Sequence, residues 1–108
     1  DKKITAIFKP HLYTRTRDFY KDFADSLSIL DEVILCDIYP AREQPIPGVT
    51  SKLIYDNLKD GVIKKMIKKE EVLDIVKNQD FEVLIVLGAG DLDNYVPQMT
   101  KILKAKYQ

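Results

Sequence analysis

The chain has 108 residues, 45% of them hydrophobic, and its 17 basic and 17 acidic residues cancel at neutral pH. This length fits one domain with a single core, no apolar run is long enough to span a membrane, and the balanced charge does not favour a nucleic acid or membrane partner. The lone cysteine, Cys36, excludes an internal disulfide, and we expect it to pack as a small hydrophobic side chain in a reducing, cytoplasmic setting.

Four short apolar runs rich in β-branched residues predict strands, at residues 4–8, 32–39, 62–67 and 82–88. Each run is followed by a segment with helical spacing, which predicts parallel pairing through right-handed crossovers. The expected fold is therefore α/β, a Rossmann-like parallel sheet of four or five strands flanked by helices. The third run is the weakest and is predicted at an edge, and an antiparallel edge strand is kept as an alternative.

Amphipathic spacing predicts the helices. The first helix is expected behind a Thr14 or Thr16 cap, and the apolar residues that recur at three or four positions are Phe19, Phe23, Leu27 and Leu30. Shorter helices are predicted over residues 50–58 and 69–78, and a last helix is predicted after Gly90.

Ligands of parallel α/β sheets bind beyond the carboxyl ends of the strands, so the connections that follow the strands are of interest. The connection at residues 9–16 brings His11 and Arg15 to the start of a helix, where a carboxylate or phosphate would be favoured. In the alternative interpretation, Arg15 and Arg17 pair with acidic residues of the helix surface, and His11 is only solvated.

Two further connections carry weaker signals. Residues 39–48 contain three prolines and should form a stiff wall, in which Arg42 and Glu43 contact a ligand or only each other and water. The Gly-Ala-Gly sequence at 88–90 lacks the dinucleotide and Walker spacings and fits a tight turn. One histidine and one distant cysteine do not predict a metal site, and no residue set predicts a catalytic nucleophile.

The three connections carry the motifs PH-x-Y-T-R-T, D-I-Y-P-A-R-E-x-P-I-P-G and GAGD in this order. These motifs extend over most of the chain. In them the chain resembles the C-terminal domain of the Mur ligase family, and especially that of the members that add alanine. The resemblance implies that residues 1–108 form one amino-acid-binding domain of a three-domain ligase, without its hinge segment and first helix. The start on a strand pattern is interpreted as a cut through a longer protein.

The resemblance also implies the chemistry of the full enzyme. ATP would phosphorylate the carboxylate of UDP-N-acetylmuramate, and the amine of L-alanine would attack the acyl phosphate, with Mg²⁺ assisting, in the cytoplasm of a bacterium that is building peptidoglycan precursors. This domain would bring the amino acid and close over the ATP site. ATP and Mg²⁺ would be bound mainly by the central and N-terminal domains of the same chain, so the 108 residues alone are expected to be inactive.

By family position, His11 and Arg15 match residues that contact alanine, with the arginine on its carboxylate. Leu12 stands where some relatives have a second arginine. The resemblance gives the cleft further candidate wall residues, which are Tyr13, Thr14, Tyr39, Arg42, Glu43, Ala89, Gly90 and Asp91. Two alternatives are kept, a stand-alone nucleotide-binding or regulatory module without ligase activity and the relative that attaches a whole tripeptide, which should differ in the first motif.

Overall fold

The computed structural model describes residues 2–88, which form a four-stranded sheet with helices on both faces. The elements in chain order are β1 (Ile4–Lys9), α1 (Tyr13–Leu27), β2 (Glu32–Leu35), α2 (Lys52–Asn57), β3 (Ile63–Met66), a 3₁₀ turn (Lys69–Glu71), α3 (Val72–Asn78) and β4 (Val83–Gly88). The strand order is β3-β2-β1-β4, and every pair is parallel. The predicted α/β fold is thereby confirmed.

Within residues 2–88, all four predicted strands form, in the predicted order along the chain. The weak third run forms β3 at one edge, as expected, and no antiparallel pair occurs within residues 2–88. The second strand ends at Leu35 rather than at Tyr39, because the chain leaves the ladder and rejoins it at an isolated parallel bridge between His11 and Tyr39. The predicted helix after Gly90 lies outside the described residues.

Alternating side chains of β2 supply both halves of the core. On one face, Val33 and Leu35 pack with Ala24 and Leu27 of α1 and with Ile54 of α2. On the other face, the buried cluster consists of Ile7, Ile34, Cys36, Ile67, Val72, Val76 and Phe81. Helices α1 and α2 therefore cover one side of the sheet, and α3 covers the other.

Cys36 is fully buried in the second cluster, as its apolar neighbours in the sequence predicted. Burial raises the pKa of its thiol to about 11, so the side chain stays protonated at neutral pH. No helix among residues 2–88 has the length and hydrophobicity needed to cross a membrane.

Two predictions about α1 are wrong. Phe19 is 50% exposed, because the buried positions of the helix are Thr16, Ala24 and Leu27. The rest of the predicted apolar face, Phe23, Leu27 and Leu30, packs in the core as expected. Neither threonine caps the helix, since Leu12 occupies the cap position and the Thr16 hydroxyl donates 2.9 Å to the Leu12 carbonyl. Thr14 lies inside the first turn, where Glu43 from the loop after β2 binds it.

Candidate functional site

The site lies at the carboxyl edge of the sheet, where β1 and β4 end side by side with Lys9 opposite Gly88. Gly88 has a φ of +144°, and a Cβ at this position would lie 2.7 Å from the Lys9 carbonyl oxygen. Only glycine fits this close approach without strain.

A cleft of about 260 Å³ opens at this edge, lined by Phe8, Lys9, His11, Arg15, Phe23 and Gly88. It unites the two residues of the first connection that the sequence singled out, His11 and Arg15. The rings of Phe8 and Phe23 contact each other at a centroid distance of 5.5 Å and give the cleft an apolar part. The cleft thus combines a cation with hydrophobic surface.

Arg15 and Arg17 differ in their surroundings although they lie two positions apart on α1. The Arg17 Nε lies 2.9 Å from a carboxylate oxygen of Asp18, in an exposed ion pair that raises the pKa of Arg17. The Arg15 side chain is exposed and forms no hydrogen bond or ion pair with any of residues 2–88. The alternative of a helix-surface ion pair therefore describes Arg17 but, within this part of the chain, not Arg15.

His11 is not simply solvated. Its ring stacks on Tyr39 with the centroids 5.8 Å apart and the planes inclined by 20°. The backbone joins the same two loops, because Leu12 N donates 2.8 Å to the Tyr39 carbonyl and Tyr39 N donates 2.8 Å to the Pro10 carbonyl. The first and second connections are thereby held together as one wall.

Glu43 ties the second connection to α1. Its carboxylate accepts a hydrogen bond of 3.1 Å from Thr14 N and one of 2.5 Å from the Thr14 hydroxyl. These bonds hold the pKa of Glu43 below its usual value, and the bond from the Thr14 hydroxyl contributes most. The charge of Arg17 lowers this pKa further. The sequence interpretation missed this role, because the two partners are 29 residues apart and no local motif joins them.

The chain has close relatives among curated proteins, although no protein-family model matches it. It is 74% identical over 98% of its length to a UDP-N-acetylmuramate--L-alanine ligase of Phocaeicola vulgatus. Equally named proteins of Parabacteroides distasonis and Porphyromonas gingivalis are 56% and 52% identical over 94% and 95% of the chain. The chain is homologous to a segment of these ligases. The resemblance inferred from the three motifs is thereby confirmed.

The chain spans only 22% to 23% of the length of these UDP-N-acetylmuramate--L-alanine ligases. Three residues predicted for the wall of the ligase cleft, Ala89, Gly90 and Asp91, lie outside the described residues. Tyr13, Thr14, Tyr39, Arg42 and Glu43 belong to the two joined connections. Their assignment to alanine binding, like that of His11 and Arg15, stays a prediction.

The chain has a second cleft, of about 320 Å³, which is lined by Lys9, Asp37, Ile38, Tyr39, Pro40, Lys69 and Glu70. Lys9 lines both clefts although it is only 4% exposed, and its Nζ donates 2.7 Å to the Asp37 carbonyl. The sequence interpretation missed this buried lysine, because a lysine at the end of a strand is ordinarily solvated. Its ammonium fixes the backbone that follows β2.

Proposed function

We propose that the chain is the C-terminal, amino-acid-binding domain of an ATP-dependent ligase that joins L-alanine to UDP-N-acetylmuramate during peptidoglycan precursor synthesis. The observation that carries this proposal is the 74% identity over 98% of the chain to a relative with that name. The cleft at the carboxyl edge of the sheet, which holds His11 and Arg15, supports it from an independent direction.

The cleft has the chemistry that a small zwitterionic amino acid requires. The planar guanidinium of Arg15 would donate two parallel hydrogen bonds to the alanine carboxylate. Phe8 and Phe23 offer apolar surface for the methyl group, and His11, held against Tyr39, would contact the same ligand. Holding the carboxylate in this way leaves the amine free to attack the activated carboxyl group of the sugar.

Among residues 2–88, no group of three or more acidic, histidine or cysteine side chains could hold a metal ion. The sequence also has no Walker pattern for phosphates. In line with the resemblance to the Mur ligases, we assign ATP and Mg²⁺ mainly to the central and N-terminal domains of the same cytoplasmic bacterial enzyme. In the proposed reaction, ATP supplies the phosphoryl group that activates the sugar carboxylate, and this domain closes over the ATP site with bound alanine.

The test uses the full-length enzyme and the isolated 108 residues side by side. Phosphate release by the full-length enzyme should require ATP, UDP-N-acetylmuramate and L-alanine together, and the isolated chain should release none. Alanine should also bind the isolated chain only weakly in calorimetry, at millimolar concentration or above by rough estimate, because a small ligand gives few contacts before domain closure. Alanine-independent phosphate release by the full-length enzyme, or any release by the 108 residues, would contradict the proposal.

A further inference from the structure

The first turn of α1 depends on a side chain from outside the helix. Leu12 at the cap position provides no side-chain hydrogen bond, and the first turn contains no acidic residue. The carboxylate of Glu43 fills this place, because it binds both the N–H and the hydroxyl of Thr14. A carboxylate at a helix N-terminus satisfies a free donor and interacts favourably with the helix dipole.

Glu43 is held where it can make these bonds. Its own N–H donates 2.9 Å to the Pro40 carbonyl and closes a turn in which Ala41 has a φ of +53°. The turn begins directly after Tyr39, whose backbone and ring are already fixed to the first connection. The position of the Glu43 carboxylate is therefore determined by the same contacts that join the two walls of the cleft.

Thr14 directly precedes Arg15, so the bonds that fix Thr14 also fix the backbone from which the Arg15 side chain extends. The Glu43 carboxylate additionally occupies the Thr14 N–H, which would otherwise be available to an anion. We propose that Glu43 is a positioning residue of the amino-acid cleft, which fixes the first turn of α1 so that the ligand carboxylate binds Arg15 rather than the end of the helix. This inference rests on the proposed function and adds a specific residue to it.

The test compares Glu43→Ala and Glu43→Gln in the full-length enzyme, with Asp56→Asn as the control. Asp56 forms an exposed ion pair with Lys52 at 2.9 Å in α2, so the control also removes one surface carboxylate interaction. Glu43→Ala should raise the KM for alanine roughly 3- to 30-fold, which corresponds to the free energy that a helix cap contributes. The kcat and the other two KM values should stay nearly unchanged. Glu43→Gln keeps an acceptor oxygen for Thr14 N–H and should recover most of the loss.

Two results would overturn the inference. One is an alanine KM in Glu43→Ala that stays within about twofold of the Asp56→Asn control, the range of a surface ion pair. The other is a parallel rise of all three KM values with a lowered melting temperature, since Glu43 would then only hold the fold together.

Hydrogen exchange of the peptide covering residues 11–18, measured by mass spectrometry, separates this inference from the proposed function. Glu43→Ala should speed exchange in this peptide and not in α2. If the wild-type enzyme does not require alanine, the proposed function fails and the role in positioning alanine fails with it, whereas faster exchange would still show that Glu43 fixes the first turn of α1. If alanine is required but exchange is unchanged, only the positioning role fails.

Discussion

The ring of His11 stacks on the ring of Tyr39, and the two residues also form a parallel backbone bridge between the first two connections. His11 lines the cleft that contains Arg15, and Tyr39 lines the neighbouring cleft beside Lys9. The stack therefore joins His11, a proposed alanine-binding residue, to the loop that follows β2.

Removing the Tyr39 ring should weaken alanine binding without removing a charge. An aromatic pair contributes about 0.5 to 1.5 kcal/mol beyond its burial, so Tyr39→Ala should raise the alanine KM of the full-length enzyme about 2- to 12-fold. Tyr39→Phe keeps the stack and should behave like wild type. Steady-state kinetics with alanine as the varied substrate checks this. If Tyr39→Phe raised the alanine KM as much as Tyr39→Ala does, the role would belong to the hydroxyl instead.

Arg15→Lys keeps the positive charge and loses the planar fork that can pair both oxygens of a carboxylate. It should cost on the order of 1.5 to 3 kcal/mol of alanine binding, a roughly 10- to 150-fold rise in the alanine KM. Arg17→Lys is the matched control, because Arg17 lies on the same helix and pairs with Asp18. It should change every KM by less than about twofold.

Kinetics of both arginine variants with each substrate varied in turn distinguishes the remaining assignments. If Arg15 contacted ATP or the UDP-sugar, the corresponding KM would rise instead. An unchanged alanine KM in Arg15→Lys would contradict the carboxylate assignment.

Gly88→Ala should be much more damaging than an alanine at another glycine with positive φ. The new Cβ would lie 2.7 Å from the Lys9 carbonyl oxygen, and we expect a loss of about 2 to 4 kcal/mol in the free energy of unfolding. Gly61→Ala is the control, since Gly61 has a φ of +94° and a Cβ added there would meet no atom within 4 Å, and it should cost about 1 kcal/mol. Urea unfolding of both variants tests the difference, and equal losses would contradict it.

Glu32 makes stability depend on acidic pH. It is 1% exposed, and burial by itself would raise its pKa. The hydrogen bond from Thr5 and the ammonium groups of Lys3 and Lys65 outweigh burial and hold the pKa of Glu32 below its usual 4.5. Its contribution to stability is therefore present above pH 4.5 and is lost as the pH falls through the lower pKa of the folded state.

Glu32→Gln should lower the free energy of unfolding at neutral pH by about 1 to 3 kcal/mol. It should also flatten the decrease of this free energy as the pH falls below 4.5. Asp56→Asn, which removes an exposed ion pair, should change neither property by much. Denaturant unfolding at several pH values measures both effects. A wild-type stability that is constant over this acidic range would show that Glu32 does not contribute in this way.

The sequence by itself determined the alternation of strands and helices, because apolar periodicity is a local property of the chain. It also predicted the weak edge strand, now β3, and the connections that carry His11 and Arg15. The placement of His11 and Arg15 beside one cleft follows because parallel strands have their carboxyl ends at one edge of the sheet, so residues that follow the strands lie near one another whatever the exact strand order.

Only the tertiary structure decided which polar side chains bind each other. Glu43 caps α1, Lys9 binds the Asp37 carbonyl, and Glu32 accepts a hydrogen bond from Gln79, across separations of 28 to 47 residues. The exposure of Phe19 likewise depends on how α1 is rotated against the sheet. Such pairings follow from the packing of distant segments, and local spacing carries no information about a partner that another element supplies.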